Sequence, residues 1–387
     1  MNAPYPATLE ILDRLVAFPT VSAESNLGLI GYAEDLLKTA GFQTYRLPAS
    51  CGRKAGLLAR RGGEGPGGVM LSAHSDVVPV AGQSWSRDPF ALTQDGERLY
   101  GRGTTDMKGF LASMLSLAQR MGDQSLAAPL MLAISYDEEV GCRGIQEMLP
   151  GIEALGWQPE LCIVGEPTGM RPAIGHKGKA AMVATCHGEA GHSAQAPQFV
   201  NALHLAADFI CALRDIQSDY ALSPVFDASY DIPYSTVHVG KMAGGQALNI
   251  VPEHARIDFE LRHLPGDGIQ AFLEAIRGKA NQIVRALPQA DTRASIEIDL
   301  TNAYPGLDIP ANDPIVKRVA GLCGSDQVTK VGYGTEAGYF AQLGIPTVVC
   351  GPGDMAEQGH MPDEFLALSQ LALCDQMMDR LARVQTA

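Results

Sequence analysis

The feature that most constrains the fold is a series of short apolar runs, each of which ends abruptly in polar residues. The run LMLAIS at 130–135 follows Pro129 and leads into three successive acids, Asp137, Glu138 and Glu139. An uninterrupted run of this length is typical of a strand buried on both faces of a parallel sheet. The acids would then lie at the carboxyl end of a strand, where α/β folds bind their ligands. Taken alone, three adjacent acids are explained more simply as solvated surface groups.

Strand-like and helical segments alternate on both sides of this run. Apolar runs at 69–73, 161–165 and 347–351 resemble it, and residues 107–121 carry apolar side chains at helical spacing. Alternating strands and helices predict an α/β fold with a mixed, mainly parallel sheet that helices cover on both faces. Because 387 residues are too many for one ordinary core, we expect two domains.

The pattern changes in the middle of the chain. Segments such as AAMVATCHGEA (180–190) and HARIDFELRH (254–263) alternate like half-exposed antiparallel strands. With the helical stretches between them they follow the order strand, helix, strand, strand, helix, strand of a ferredoxin-like α+β unit. We therefore predict one α/β domain formed by 1–178 and 302–387, interrupted by a smaller α+β domain at 179–301.

Composition excludes several classes of protein. The net charge of −14 argues against nucleic acid as a partner, because phosphate binding needs a concentrated basic face. There is no apolar run of transmembrane length and no basic start followed by an apolar block, so we expect a cytoplasmic protein with no membrane partner. The eight cysteines form no closely spaced pair and are expected to be reduced thiols.

Polar residues that end the apolar runs form a set with the chemistry of metal ligands. Taken singly, each has an ordinary explanation: Asp106 as a helix cap, for example, or His74 as a loop histidine hydrogen-bonded to a neighbour. Asp76, two residues after His74, supplies the carboxylate to which a metal-binding histidine usually donates its other ring N–H. Together, histidine and carboxylate ligands without thiolate suit Zn²⁺, Co²⁺ or Mn²⁺. Two metal ions would need one bridging carboxylate and about two further ligands each. The candidates number enough for that, and Glu138 remains to act on a water: His74, Asp106, Glu139, Glu166 and His360.

Eight motifs extend this interpretation along the whole chain. They are HSDVVP (74–79), GRGTTDMKG (101–109), DEEVGCRG (137–144), GEPT (165–168), HKG (176–178), GHSA (191–194), ALNIVP (247–252) and GHMPDE (359–364). On these motifs the chain resembles the M20 metallopeptidase family of two-zinc amidohydrolases. Three more motifs favour the acetylornithine deacetylase branch of that family: WSRDPF (85–90), LRHLPG (261–266) and GTEA (334–337).

The resemblance implies a role for each candidate in the α/β domain, which would be the catalytic, metal-binding one. His74 and Glu166 would bind one zinc ion, and Glu139 and His360 the other, with cobalt as the alternative metal. Asp106 would bridge the two ions. The resemblance also makes Asp76 the residue that orients His74, and Glu138 the general base.

The smaller domain would be a lid and a dimerisation domain. The resemblance implies that His192 reaches the active site of the partner subunit in a homodimer and contacts the substrate carbonyl. It implies that Asn249 and Arg262 help to bind the polar or carboxylate end of the substrate. The reaction expected from the branch is removal of the acetyl group from N2-acetyl-L-ornithine, a step of arginine biosynthesis.

The sequence is also compatible with other functions. Within the family, the chain would also fit a succinyl-diaminopimelate desuccinylase, an acetylcitrulline deacetylase or a carboxypeptidase. A non-catalytic binding protein on the same fold would be expected to lack at least one ligand or the base, and all six residues are present.

Overall fold

The computed structural model describes residues 3–288 and 294–386. In chain order its α-helices are α1 (Pro6–Val16), α2 (Leu27–Thr39), α3 (Gly109–Arg120), α4 (Arg143–Leu155), α5 (Ala202–Ala221), α6 (Ile269–Arg285), α7 (Pro314–Cys323), α8 (Ala337–Gln342) and α9 (Leu368–Thr386). A single π-helical turn, Thr104–Lys108, leads directly into α3.

The strands are short, and most of them belong to one large sheet or to one smaller antiparallel sheet. In chain order they are β1 (Gln43–Pro48), β2 (Ala55–Arg61), β3 (Val69–His74), β4 (Thr93–Asp95), β5 (Arg98–Tyr100), β6 (Leu130–Ser135), β7 (Leu161–Pro167), β8 (Ala173–His176), β9 (Gly178–His187), β10 (Gly191–His192), β11 (Thr236–Gly244), β12 (Ile250–Val251), β13 (His254–His263), β14 (Ser295–Tyr304), β15 (Leu307–Asp308), β16 (Thr329–Val331), β17 (Thr347–Gly351) and β18 (Phe365–Ala367).

The chain forms two compact units. The first contains residues 1–175, 307–331 and 335–387, and the second contains 176–306 and 332–334. The boundaries predicted from the sequence, after 178 and after 301, differ from these by a few residues. The difference arises because the sheet of the second unit extends further than its apolar pattern: Tyr304 at the end of β14 still pairs with Lys179 at the start of β9.

The first unit is built on the large sheet, with strand order β1-β2-β6-β3-β7-β17-β8-β15 and β16 beside β8. The four central strands, β6, β3, β7 and β17, run parallel to one another, whereas β1, β2 and β8 pair antiparallel with their neighbours. Every residue of these four central strands is buried, as expected for uninterrupted apolar runs covered on both faces. The predicted fold class, a mixed and mainly parallel α/β sheet, is confirmed.

Helix α3 occupies the interior of the first unit. All of its residues from Gly109 to Ala118 are buried, and the helix packs on β3 and β7 on one side and on α1 and α9 on the other. A helix that is apolar around its whole circumference is stable only in such a position. Because α3 is fixed on both sides, the π-helical turn at its start has a well-defined place above the central strands.

The second unit has the order β9, α5, β11, β13, α6, β14, which is the strand and helix order of a ferredoxin-like unit. Its four-stranded sheet is antiparallel throughout, in the order β11-β13-β9-β14. Inward-facing residues of β9 and β13 pack against α5 and α6 to form its core. Within the described residues, no helix of either unit is long and apolar enough to cross a membrane.

Candidate metal centre

Parallel strands of the first unit bring the predicted ligands to the carboxyl-terminal end of the sheet. β3 ends at His74, which pairs with Ser135 at the end of β6, and the acidic residues 137–139 follow directly. Glu166 lies near the end of β7, and His360 lies in the loop that follows β17. Because the carboxyl ends of neighbouring parallel strands lie side by side, residues far apart in sequence become neighbours in space.

Asp106 lies between the two histidines. Its Oδ1 is 3.0 Å from His74 Nε2, and its Oδ2 is 3.2 Å from His360 Nε2. Each oxygen of one carboxylate therefore faces a different imidazole. This is the arrangement required of a carboxylate that bridges two metal ions.

The remaining predicted ligands divide between the two histidines. Glu139 Oε2 is 2.9 Å from His360 Nε2, and Glu166 Oε1 is 3.8 Å from His74 Nε2. Two sets of ligand atoms each lie within 4.8 Å of one another, one formed by His74, Asp106 and Glu139 and the other by His74, Glu138 and Glu166. The structure thus brings together all five candidate ligands and Glu138.

The carboxyl groups of this cluster resist ionisation. Burial raises the pKa of Glu138 and of Glu139 to about 8, and it raises that of Glu166 well above its ordinary value; in each case the charge of Asp106 adds to the effect. Burial by itself would lower the pKa of His360, but hydrogen bonds to Asp106 and Glu139 raise it to about 10. Protons therefore occupy the cluster in the absence of cations, and metal binding would release them.

The donor set fits a pair of divalent cations. It contains imidazole nitrogens and carboxylate oxygens without thiolate, which suits zinc, cobalt or manganese. Glu139 Oε1 is buried and has no hydrogen-bond partner among the described residues. A buried carboxylate oxygen without a donor is costly, and a bound cation would satisfy it.

Asp76 has a wider role than the sequence indicated. The ring of His74 is oriented through Nδ1 by the backbone carbonyl of Asp76 at 2.9 Å, whereas the Asp76 carboxylate lies 3.6 Å from that nitrogen. The carboxylate instead accepts the backbone N–H of Glu138 (3.1 Å) and of Glu139 (3.3 Å), together with the hydroxyl of Ser22 (2.7 Å). One residue thus positions both a histidine and the acidic pair.

Glu364 was not among the predicted site residues, although it closes the motif GHMPDE. Its buried carboxylate accepts the backbone N–H groups of Thr105 (2.9 Å) and Asp106 (3.1 Å). It also accepts Gly103 N–H at 3.0 Å and pairs with Arg102 at 2.7 Å. Glu364 therefore ties the turn that carries Asp106 to the loop that carries His360. Sequence spacing gave no signal for this contact.

Glu336, in the motif GTEA, is a second buried acid close to the cluster. Its Oε2 accepts the hydroxyl of Ser135 at 2.8 Å, and burial raises its pKa to about 7. Its charge contributes to the raised pKa of Glu138. In the sequence, the motif indicates only one family branch, because an isolated acid has no spacing signature.

The predicted residues of the second unit lie at two places. His192 in β10 pairs with Ile250 in β12, and Ser193 N–H donates to the carbonyl of Asn249, so His192 and Asn249 are neighbours. Arg262 lies near the carboxyl end of β13, whereas β12 precedes the start of that strand. Arg262 pairs with Lys179 there, and its guanidinium group donates to Glu260 and Tyr304. The unit does not bring Arg262 together with the other two.

The sequence matches one family over most of its length. The profile described as Peptidase family M20/M25/M40 matches residues 70–384. An acetylornithine deacetylase of Photorhabdus laumondii subsp. laumondii is 32% identical over 381 residues, covering 95% of this chain and 94% of that protein. An acetylornithine deacetylase of Aliivibrio fischeri strain MJ11 is 35% identical over 319 residues, covering 82% of this chain and 80% of that protein.

Solved structures share the fold. An M20 family metallo-carboxypeptidase of Sulfolobus solfataricus superimposes with a TM-score of 0.77 at 19% identity, covering 98% of this chain and 99% of that one. A dinuclear metal-binding peptidase of the M20 family from Bacillus subtilis superimposes with a TM-score of 0.68 at 17% identity, covering 97% of both chains. At these identities the likeness concerns the fold.

Removal of metal should loosen the acidic loop first. We expect faster amide hydrogen exchange at 137–141 after chelation, because the loop then loses the ion that would hold Glu139, and the protons that the acids take up instead do not tie the loop to the histidines. Exchange in the buried helix α3 should stay unchanged and serves as the internal control. Hydrogen–deuterium exchange with mass spectrometry measures both, and equal protection of 137–141 with and without chelator would contradict the prediction.

Glu364→Ala should weaken metal binding although Glu364 is not a candidate ligand. The turn that carries Asp106 loses three backbone contacts, and loss of a residue that orients a ligand typically lowers metal affinity about 10–100-fold. Competition with a chelator of known affinity measures the change. Glu357→Ala, which removes an exposed acid from the same loop, is the matched control and should bind metal as the wild type does.

Proposed function

Because the chain belongs to the M20/M25/M40 peptidase family, a family of hydrolases, we propose that it hydrolyses the amide bond of N2-acetyl-L-ornithine. The products are L-ornithine and acetate, and the step belongs to arginine biosynthesis. The observation that carries the chemistry is the carboxylate of Asp106 between two imidazoles, with Glu138 beside it. The substrate is proposed from the two relatives named acetylornithine deacetylase, which match most of this chain.

Two divalent cations, zinc or alternatively cobalt, are the proposed cofactors. His74 and Glu166 would hold one ion, Glu139 and His360 the other, and Asp106 both. When bound, such ions supply the positive charge that polarises a carbonyl group and makes a water molecule more acidic. Three of these ligands, His74, Asp106 and Glu166, are buried. Their removal from bulk water strengthens the charge interactions between them.

Glu138 is the proposed general base and acid. Its backbone N–H is fixed on Asp76, and its carboxylate takes a proton from the attacking water. The same carboxylate then passes the proton to the nitrogen of the leaving amine. This second transfer is necessary because an amine that departs without a proton is a very poor leaving group. Glu139, one residue further, is free to serve as a ligand because successive side chains leaving a strand point in different directions.

His192 is the proposed donor to the substrate carbonyl oxygen. Its Nδ1 accepts the backbone N–H of Ala194 at 3.1 Å, which in the neutral imidazole leaves the proton on Nε2. One donor to a developing oxyanion typically lowers the barrier by about 3–4 kcal/mol. Asn249 next to it would bind a polar group of the substrate. Arg262, which has N–H donors beyond those bound to Glu260 and Tyr304, would bind a carboxylate.

The second unit is the proposed lid and dimerisation domain of a cytoplasmic homodimer. Within the described residues, β11 pairs only with β13 and so forms one edge of the sheet. An open antiparallel edge is a surface on which a second copy can continue the sheet. His192 would then act in the active site of the partner.

A panel of substrates tests the proposed function. We expect kcat/KM for acetylornithine to exceed that for succinyl-diaminopimelate, acetylcitrulline and a dipeptide, with two metal ions per chain in the same sample. A preference for another N-acyl amino acid would reassign the substrate within the family, which is the second candidate function. Two bound metal ions without hydrolysis of any of these compounds would favour a binding protein instead.

Glu138→Gln should retain both metal ions and lose turnover. Removing a general base typically lowers the rate about 10²–10⁴-fold, and Glu138 serves in two proton transfers. Steady-state kinetics and metal analysis of one preparation measure the two properties. Glu153→Gln, an exposed acid on α4, is the control and should behave as wild type. Retained activity at full metal content would refute the role.

Complementation tests the role of His192 across the dimer. We expect His192→Ala and Glu138→Gln each to be inactive as homodimers. A tandem-purified heterodimer of the two should regain about half of the wild-type activity, because a two-fold dimer then contains one complete site. A heterodimer as inactive as its parents would show that His192 does not serve the partner subunit.

A further inference from the structure

The backbone of Glu138 is held at both ends of the residue. Its N–H donates to Asp76 Oδ1 at 3.1 Å, and its carbonyl accepts the N–H groups of Gly141 (2.8 Å) and Cys142 (2.7 Å). These contacts fix where the side chain begins. They do not determine the rotamer of a glutamate, which has three further torsions between the backbone and the carboxylate.

The side chain of Glu138 has a contact of its own. Cys142 Sγ lies 3.2 Å from Glu138 Oε1 and donates to it. The thiol is in the interior, since Cys142 is 1% exposed. The contact joins residues four apart, across the turn that separates the acidic pair from helix α4. Cys142 is neither a proposed metal ligand nor a proposed substrate contact.

The backbone conformation of Cys142 indicates that its side chain has a use. The residue has φ 53° and ψ 41°, which is the left-handed region. Glycine adopts this region without steric cost, whereas a residue with a Cβ atom is strained there. A cysteine at this position therefore offsets its strain with a contact that glycine could not make, and the contact observed is the one to Glu138.

The thiol is suited to donate and unsuited to attack. Burial raises the pKa of Cys142 well above its ordinary value, and the nearby charges of Glu138 and Glu336 add to the effect. The sulfur therefore keeps its proton at neutral pH. A thiol that stays protonated is a poor nucleophile and a poor metal ligand, but it remains a hydrogen-bond donor.

We propose that Cys142 is a positioning residue for the general base: its S–H group donates to Glu138 Oε1 and holds the carboxylate in one rotamer, with Oε2 as the oxygen that transfers the proton. The inference deepens the proposed function and rests on it for the role of Glu138. The thiol itself does not touch the substrate. It acts by reducing the number of orientations that the carboxylate can adopt before proton transfer.

Kinetics of three variants test the proposal. Cys142→Ala should lower kcat about 10–100-fold with KM nearly unchanged, because a misplaced catalytic group slows the chemical step. Cys142→Ser restores a donor and should recover most of the loss. Cys374→Ala removes another fully buried thiol from the same unit and should stay within about two-fold of wild type. Alanine and serine both have a Cβ atom, so the backbone strain at 142 is unchanged.

A double variant separates positioning from a general structural effect. If the thiol acts only through the carboxylate, Cys142→Ala should change the residual rate of Glu138→Gln far less than it changes the wild-type rate. Equal effects in both backgrounds would overturn the proposal. So would a Cys142→Ala variant with wild-type kcat and full metal content, or a loss that serine does not recover.

Infrared spectroscopy gives a readout that does not depend on activity. The S–H stretching band lost in Cys142→Ala is the band of Cys142, and it should lie at lower wavenumber than that of an unbonded thiol. It should shift to higher wavenumber in Glu138→Gln, because an amide oxygen accepts less strongly than a carboxylate. If Cys142→Ala does not fold, the band lost in Cys142→Ser gives the same assignment, and an unchanged band in Glu138→Gln would overturn the contact. If the wild type hydrolyses no N-acyl amino acid but the band shifts as expected, the proposed function fails and the contact stands.

Discussion

The rest of the structure depends on one carboxylate, that of Asp106, held between two imidazoles. His74 comes from the end of a central strand and His360 from a loop almost three hundred residues later, and each faces a different oxygen of Asp106. A carboxylate can occupy this place only if the turn that carries it is rigid. That rigidity comes from α3, which is buried on all sides, and from Glu364, which accepts three N–H groups of the turn.

The buried acids around Asp106 lower the stability of the protein when no cation is bound. Glu138, Glu139 and Glu166 each have a raised pKa, chiefly because their carboxyl groups are removed from water. Such a cluster lowers stability unless protons or cations neutralise it. Charge repulsion among the acids at the strand ends is therefore high, and two dications would relieve it. Metal binding is in this way expected to be coupled to the order of the acidic loop.

Three of the proposed ligands, His74, Asp106 and Glu139, are oriented by second residues that also serve other groups of the site. Asp76 serves His74 through its carbonyl group and the acidic pair through its carboxylate. Glu364 links the two loops that hold Asp106 and His360. The proposed contact of Cys142 adds the same kind of support to Glu138. Because each support touches more than one functional group, a change in one of them is expected to affect several groups together.

The sequence by itself determined the buried parallel strands, the chemical type of the ligands and, through its motifs, the family. These follow from local patterns: an apolar run predicts a buried strand, and its end predicts where ligand-binding side chains lie. Only the tertiary structure decided which oxygen of Asp106 faces which histidine, that the Asp76 carboxylate holds the backbone at 138 and 139, and that Glu364 supports Asp106. Those contacts join residues on separate loops, and their geometry depends on how α3 and the central strands pack. No local pattern in the chain encodes such a distance.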